Sequence, residues 1–266
     1  MKSLKKYLNS RKVNIDFLLG KPKRNFTPGT FHKLRIELKK LNAFLDLVNY
    51  CAKDFRKKKI FNLFKQVFNQ AGKVRELQIQ EAMLKKYFPD NSIPEYKAIL
   101  RKTRLKERRT FLSMIDTKMI NRLRNRFNET DSFLSKIKSK KAAGYLDNEI
   151  DEIKNLIQQN PLQKEQLHEL RKRLKTINYN RGSLALKGDD NKISKKSALP
   201  HLLGEWHDLQ VMRDHLNKGL NNVGINPNEF IHLENLKTKI SAENELLFGQ
   251  ILEAIPSSEF FEPDHQ

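Results

Sequence analysis

Two stretches of this 266-residue sequence repeat one pattern 136 residues apart, and this duplication constrains the fold more than any other feature. Residues 31–42 and 167–178 share the pattern H-x-L-R-x-x-L-K-x-[LI]-N. A second block, G-x-x-x-[ED]-L-Q-[IV], recurs in residues 72–79 and 204–211 at an offset of 132. Blocks that recur in the same order at nearly one offset indicate an internal duplication, so the two halves are expected to fold alike.

Few helix breakers and a regular apolar spacing predict that both halves are helical. The chain has only 10 Gly and 9 Pro, and its apolar residues recur every three or four positions. The predicted helices cover residues 3–19, 30–53, 54–71, 73–88, 93–127, 142–159, 162–181, 192–203, 205–221 and 229–255. Gly72 is expected to end the third of these helices, and Gly182 to begin a loop that reaches residue 190. Four main helices in each half predict an all-α domain of two pseudo-twofold-related four-helix bundles with long antiparallel helices, at about 5–130 and 142–255, and a mobile tail at 256–266.

The first repeated block places four polar side chains in one row beside the apolar face of a helix. Successive residues of a helix are rotated by about 100°, which puts Leu34, Leu38 and Leu41 on the face that packs into the core. The polar rows are His32, Arg35, Lys39 and Asn42 in the first copy, and His168, Arg171, Lys175 and Asn178 in the second. Each row could face solvent or pair with acidic residues. The recurrence of all four residue types, while the outward positions between them differ, favours a binding site.

The chemistry of these rows suits a linear phosphate chain. Arginine offers a planar fork to phosphate oxygens, lysine a point charge, and histidine and asparagine single donors. Consecutive members of a row rise along the helix by about 4–6 Å per step, which matches a ligand with anionic oxygens along its length. Two rows brought together by a pseudo-twofold axis would form one basic central groove.

The net charge of +21 is carried by the first half of the chain. Residues 1–140 contain 36 Lys and Arg against 12 Asp and Glu, whereas residues 141–266 contain 16 against 19. A positive field of this size attracts polyanions and releases their counterions on binding. Arg101, Arg104 and Arg108 share a helix face that could line the groove or face water, and the basic run at 56–59 is expected to be solvated.

The sequence resembles the CHAD family, the conserved histidine α-helical domain. The resemblance rests on FHKLR at 31–35 and LHELR at 167–171, with GKVREL at 72–77 and LGEWHDL at 203–209, and covers about residues 5–255. It implies two four-helix bundles with a basic central channel that binds inorganic polyphosphate.

The resemblance also implies which residues bind. The matching positions are His32, Arg35, Lys39, His168, Arg171 and Lys175 in the histidine blocks, Arg75 and His207 in the glycine blocks, and, more weakly, Arg104, Arg108 and Lys239 on the long closing helices. Members of the family often carry an arginine where this chain has Asn42 and Asn178. Two fewer cations could weaken binding or shift the path of the polymer.

Two other binding functions compete with polyphosphate. Nucleic acid would use the same charge, but recognition by stacking needs exposed aromatic residues, and the phenylalanines lie at core spacing. A metal site could be built from histidines and aspartates of the second half, namely His201, His207, His215, Asp208 and Asp214. Glu165 and His168 form E-x-x-H, as in di-iron bundles. The first copy has Gly29 in place of the glutamate, which argues against a metal.

No catalytic motif accompanies these rows, so we expect a non-catalytic protein without a cofactor. The single cysteine, Cys51, cannot form a disulfide within the chain. No apolar run is long enough to span a membrane, and the lysine-rich start lacks the apolar stretch of a signal peptide. We therefore expect a cytoplasmic protein, with association with polyphosphate granules as one role. The sequence predicts no membrane contact and identifies no protein partner.

Overall fold

The computed structural model describes residues 2–158, 162–184, 198–221 and 225–256, and the chain is all-α within these ranges, as predicted. In chain order the helices of the described residues are α1 (Lys2–Leu19), α2 (Pro28–Cys51), α3 (Lys57–Tyr87), α4 (Pro94–Met114), α5 (Thr117–Leu134), α6 (Ser139–Gln158), α7 (Lys164–Leu184), α8 (Leu199–Leu220) and α9 (Pro227–Ala254). A short 3-10 turn, Lys23–Asn25, connects α1 and α2.

Prolines and polar caps fix where several helices begin. Helices α2, α4 and α9 each begin on a proline, which tolerates the first turn because the amide hydrogen it lacks would have no partner there. The Thr27 hydroxyl caps α2 by accepting a hydrogen bond from the Thr30 amide at 3.3 Å. The Asn226 side chain caps α9 by accepting from the Asn228 amide at 2.9 Å.

The predicted helix end at Gly72 is wrong, because α3 runs without interruption through that residue. A glycine just past a helix commonly supplies a left-handed backbone conformation, but Gly72 is helical and buried. Its lack of a side chain makes room for Arg35: a Cβ at this position would lie 2.2 Å from the Arg35 Nη1 atom. The glycine serves packing between α2 and α3, and not the end of a helix.

The single long helix predicted at 93–127 is also wrong. The helix is interrupted at Ile115 and Asp116, which separate α4 from α5. Asp116 has an extended backbone and its carboxylate accepts a hydrogen bond from the Met119 amide at 2.6 Å, so it starts α5 as an N-cap. No glycine or proline marks this break in the sequence.

Two further glycines predicted to interrupt helices lie within them. Helix α8 passes through Gly204, where the sequence predicted a boundary, and nothing lies within 4 Å of a Cβ built there. Helix α7 contains Gly182 and continues to Leu184. The rest of the loop predicted up to residue 190, the helix predicted from residue 192 as far as residue 197, and the predicted tail after residue 256 lie outside the described residues.

The chain forms two compact units, and each takes segments from both halves of the sequence. Unit 1 consists of the described residues within Met1–Arg75, Lys106–Glu152 and Lys175–Asp190. Unit 2 consists of those within Glu76–Leu105, Ile153–Leu174 and Asn191–Gln266. The bundle boundaries expected from the repeat, 5–130 and 142–255, stay a prediction.

An aromatic cluster beside the first histidine block anchors the core of unit 1. The ring of Phe31 lies 5.0 Å from that of Phe111 and 5.7 Å from that of Phe26, measured between centroids. Phe31 and Leu34 are fully buried. Because these two core residues flank His32, burying them orients the polar row of α2 away from the core.

In unit 2, the start of α4 is held by a carboxylate from α9. Buried Glu229 accepts hydrogen bonds from the backbone amides of Glu95 and Tyr96, both at 2.8 Å. These amides belong to the first turn of α4, where backbone donors lack partners within the helix and negative charge is favourable. Tyr96 packs on Gly219, where a Cβ would lie 2.2 Å from its hydroxyl oxygen.

Candidate anion-binding clusters

The Arg35 side chain is fixed on the surface of α3. Its Nη1 atom donates a hydrogen bond to the Phe68 carbonyl oxygen at 3.0 Å, and its guanidinium carbon lies 4.4 Å from the centroid of the Phe68 ring. Gly72, one turn further along α3, leaves the space that the guanidinium occupies. The two repeated blocks of the first half are therefore in contact: the histidine block supplies the arginine and the glycine block its seat.

Four cationic or titratable side chains gather at this point in unit 1. We call His32, Arg35, Lys39 and Arg75 the His32 cluster. His32 is exposed and the other three are half-buried. Burial lowers the pKa of His32 from its usual value, and the positive charges of Arg75, Lys39 and Arg35 lower it further. Each charge that shifts this pKa is a cation, so the cluster disfavours a further positive charge and favours an anion.

His168 and Arg171 of the second histidine block lie in a different environment, in unit 2. The ring centroid of half-buried His168 is 4.6 Å from that of Trp206 and 5.5 Å from that of His207. Trp206 is completely buried. We call His168, Arg171, Trp206 and His207 the His168 cluster.

Charges of both signs act on the second histidine. Burial lowers the pKa of His168, and the nearby Arg171 and Lys172 lower it further. The carboxylates of Glu165 and Asp214 oppose this shift. The field around His168 is therefore less positive than the field around His32.

The remaining predicted residues lie in other surroundings. Arg104 forms an ion pair with Glu81, with Nε 2.8 Å from a carboxylate oxygen. Arg108 donates from Nη2 to the Lys23 carbonyl oxygen at 2.7 Å. Exposed Lys239 has its ammonium 5.5 Å from the centroid of the Tyr87 ring. Lys175 is half-buried, four residues after Arg171 on α7.

Sequence reasoning missed the residues that support or oppose the cations. Phe68 holds the Arg35 guanidinium, and its position four residues before Gly72 was a usable signal. Glu81 was not singled out, and Asp214 was considered only as a metal ligand; both carboxylates lie near predicted binding residues of other helices. The groove expected between the two rows stays a prediction.

The five phenylalanines at core spacing in the first half are buried or half-buried, whereas the rings of Phe17, Tyr50 and Phe230 are exposed. Phe44, Phe55 and Phe64 are buried, and Phe61 and Phe68 are half-buried. Across the described ranges, no group of three or more His, Cys, Asp or Glu has a metal-binding arrangement. In the same part of the chain, no helix combines the length and apolarity needed to cross a bilayer.

The chain is an all-helical protein with an internal repeat, and each copy of the repeat carries a row of polar side chains that begins with a histidine. Comparison with known proteins identifies the family. The CHAD domain family matches residues 22–217, so the chain belongs to it. A comparison with curated proteins gives no match.

Two solved structures share the fold. The crystal structure of the CHAD domain from the plant Ricinus communis superposes with a TM-score of 0.79 at 15% identity, covering 96% of this chain and 90% of that one. PptA from Streptomyces chartreusis superposes with a TM-score of 0.70 at 13% identity, covering 95% and 98%. At these identities the likeness concerns the fold alone.

Proposed function

We propose that the chain binds inorganic polyphosphate without catalysing a reaction, through the polar rows of its two histidine blocks. The observation that carries the proposal is the fixed guanidinium of Arg35 beside His32, Lys39 and Arg75. Membership of the CHAD family supports it, because the resemblance noted from the sequence implies polyphosphate binding.

The His32 cluster offers two kinds of cation to a phosphate chain. Arg35 is preorganised by Phe68, so little side-chain entropy is lost when it meets a phosphate oxygen. Lys39 extends the row by one turn of α2 and provides a point charge. Together they bind a repeating anion without recognising any feature of it except charge and spacing.

A second argument separates polyphosphate from nucleic acid. Single-stranded nucleic acid gains affinity by stacking its bases on exposed aromatic rings. The rings of Phe44 and Phe64 are buried and unavailable for this, and the exposed rings of Phe17, Tyr50 and Phe230 are not part of the His32 cluster. Polyphosphate has no bases to stack, so its affinity for a cationic surface does not depend on aromatic rings at the site.

A competition experiment at fixed ionic strength tests the proposal. We expect long-chain polyphosphate to displace single-stranded RNA and duplex DNA from the protein, and neither nucleic acid to displace polyphosphate at equal phosphate concentration. Tighter binding of single-stranded RNA would contradict the proposal. Fluorescence anisotropy with labelled RNA measures the displacement directly.

A charge-matched pair of variants separates a site from diffuse attraction. Arg35→Ala with Arg171→Ala should weaken polyphosphate binding by at least about tenfold, because charge-assisted hydrogen bonds contribute about 1.5–3 kcal/mol each. The control, Lys6→Ala with Arg122→Ala, also removes two positive charges, from exposed positions on α1 and α5. Equal losses in the two variants would mean that net charge alone drives binding.

A further inference from the structure

The polar row of α2 continues past the histidine block. His32, Arg35, Lys39 and Asn42 are followed at the same three- or four-residue steps by Asp46 and Asn49. Residues with this spacing lie on one face of a helix. The face that carries the His32 cluster therefore extends to the end of α2.

Helix α3 runs alongside this face in the opposite direction. Near one end, Arg35 on α2 contacts Phe68 and Gly72 on α3. At the other end, the Lys57 backbone amide donates to the Asn49 side-chain oxygen at 3.3 Å. The two helices thus border one surface strip from Arg75 to Lys57, within unit 1.

A basic cavity lies at the far end of this strip. Its volume is about 1050 Å³, and Asn42, Asp46 and Asn49 line it from α2. The cations that line it are Arg56, Lys57, Lys58, Lys59 and Lys65. We call it the Arg56 cavity.

The charge of the Arg56 cavity is strongly positive even after its acidic neighbours are counted. Asp46 is the acidic residue in the lining, and it forms an ion pair with Lys57. The Lys59 ammonium lies 3.9 Å from a Glu129 carboxylate oxygen, and the Lys59 side chain is largely exposed, so this pair is weak. Arg56, Lys58 and Lys65 are exposed. The sequence predicted a solvated basic run here, and the structure gathers it around one concave surface.

We infer that a long polyphosphate chain bound at the His32 cluster continues between α2 and α3 into the Arg56 cavity. This inference rests on the proposed function and adds a dependence on chain length. Arg35 and Asn49 are fourteen residues apart on α2, a rise of about 21 Å. Tripolyphosphate is too short to reach both places, whereas a long chain contacts them together. The second contact raises the affinity for long chains through effective concentration, without any change at the first.

Measuring two ligands against two charge-matched variants tests this inference. The cavity variant is Arg56→Ala with Lys58→Ala and Lys65→Ala, all exposed positions at which alanine does not threaten folding. The control is Arg122→Ala with Lys2→Ala and Lys6→Ala, exposed positions on α1 and α5, which do not line the cavity. Dissociation constants for long-chain polyphosphate and for tripolyphosphate are measured by calorimetry over a series of salt concentrations.

We expect the cavity variant to bind long-chain polyphosphate about tenfold more weakly, with a shallower salt dependence, because up to about three phosphate contacts are lost. Its affinity for tripolyphosphate should change no more than that of the control. The inference is overturned if the cavity variant matches the control for the long chain, or if both ligands lose affinity equally. Failure of the proposed function looks different: Arg35→Ala with Arg171→Ala would then leave the binding of both ligands unchanged.

Discussion

The two histidine blocks have the same residue types and different surroundings. His32 lies among Arg75, Lys39 and Arg35, which are all cations. His168 lies beside Arg171 and Lys172, but also near the carboxylates of Glu165 and Asp214. Duplication has preserved the row on each helix, while the helices that face it have diverged. The comparison indicates that the first copy offers the stronger field for an anion, in line with the excess of positive charge in residues 1–140.

Single arginine substitutions should give the largest difference in polyphosphate affinity between the two copies of the repeat. Arg35→Ala should weaken long-chain polyphosphate binding by about tenfold, and Arg171→Ala by about threefold, because carboxylates near the second site already offset its charge. Calorimetry at one ionic strength measures both. Equal losses, or a larger loss for Arg171→Ala, would remove the distinction between the copies.

A smaller loss of polyphosphate affinity is expected when Arg35 is kept but the surface of α3 on which it packs is changed. Gly72→Ala places a methyl group 2.2 Å from the Arg35 Nη1 atom, so the flexible guanidinium must move away from α3. We expect a loss of about fivefold in polyphosphate affinity. Gly204→Ala is the matched control, because nothing lies within 4 Å of its Cβ position, and it should bind as the unmodified protein does. Unchanged binding by Gly72→Ala would show that the position of Arg35 does not matter.

Binding should also depend modestly on pH, and more through His32 than through His168. The folded protein lowers the pKa of both histidines below the unfolded value of about 6.5, so both are mostly neutral at pH 7. A bound anion favours the charged imidazole and raises its pKa. Binding therefore takes up a proton and strengthens as the pH falls toward the pKa of the free protein, which lies below about 6.5. NMR titration with and without polyphosphate should show the larger rise for His32. A larger rise for His168 would reverse the comparison.

The same lowered pKa values have a consequence for stability without ligand. Because the unfolded chain takes up protons on these histidines first, the free energy of unfolding should decrease as pH falls below about 6.5. Saturating polyphosphate should reduce this decrease, since it binds the folded state and favours the charged imidazoles. Denaturant titrations at several pH values measure it.

The smallest expected effect is on the free energy of unfolding, and it again distinguishes Gly72 from Gly204. Gly204→Ala should raise the free energy of unfolding by about 0.5 kcal/mol, because alanine favours the middle of a helix and meets no neighbour there. Gly72→Ala should gain less, because moving Arg35 costs its hydrogen bond to Phe68. Thermal denaturation followed by circular dichroism compares them. An equal gain at both positions would mean that the seat on α3 contributes nothing to stability.

The apolar spacing predicted the helices and their buried faces well. Leu34, Leu38 and Leu41 are buried, as are Leu170 and Leu174, because a helix in a packed domain must bury its apolar face. The helix boundaries at Gly72 and Gly204 were wrong for a physical reason. Glycine at the end of a helix and glycine under a neighbouring side chain look the same in a single sequence. Which role applies depends on the register between two helices.

The composition of the candidate site was only half predictable. The row on α2 follows from helix geometry, so His32, Arg35 and Lys39 could be grouped from spacing alone. Phe68 could not, because it meets Arg35 only through packing of α2 on α3, and Arg75 was identified through the family resemblance and not through spacing. Likewise, Asp214 acts on His168 from a position 46 residues away in the chain, which no local pattern encodes.

Because α3 is one unbroken helix, the distance between residues near its start and residues further along it is fixed. Lys57 and Arg75 are eighteen residues apart on one hydrogen-bonded rod, a separation of about 27 Å that thermal motion hardly changes. Had Gly72 been a hinge, that spacing would vary with every bend of the joint. Helix α3 therefore sets the minimum length of an extended ligand that contacts both Lys57 and Arg75. Inserting one helical turn between the two residues would lengthen that requirement by about 5 Å.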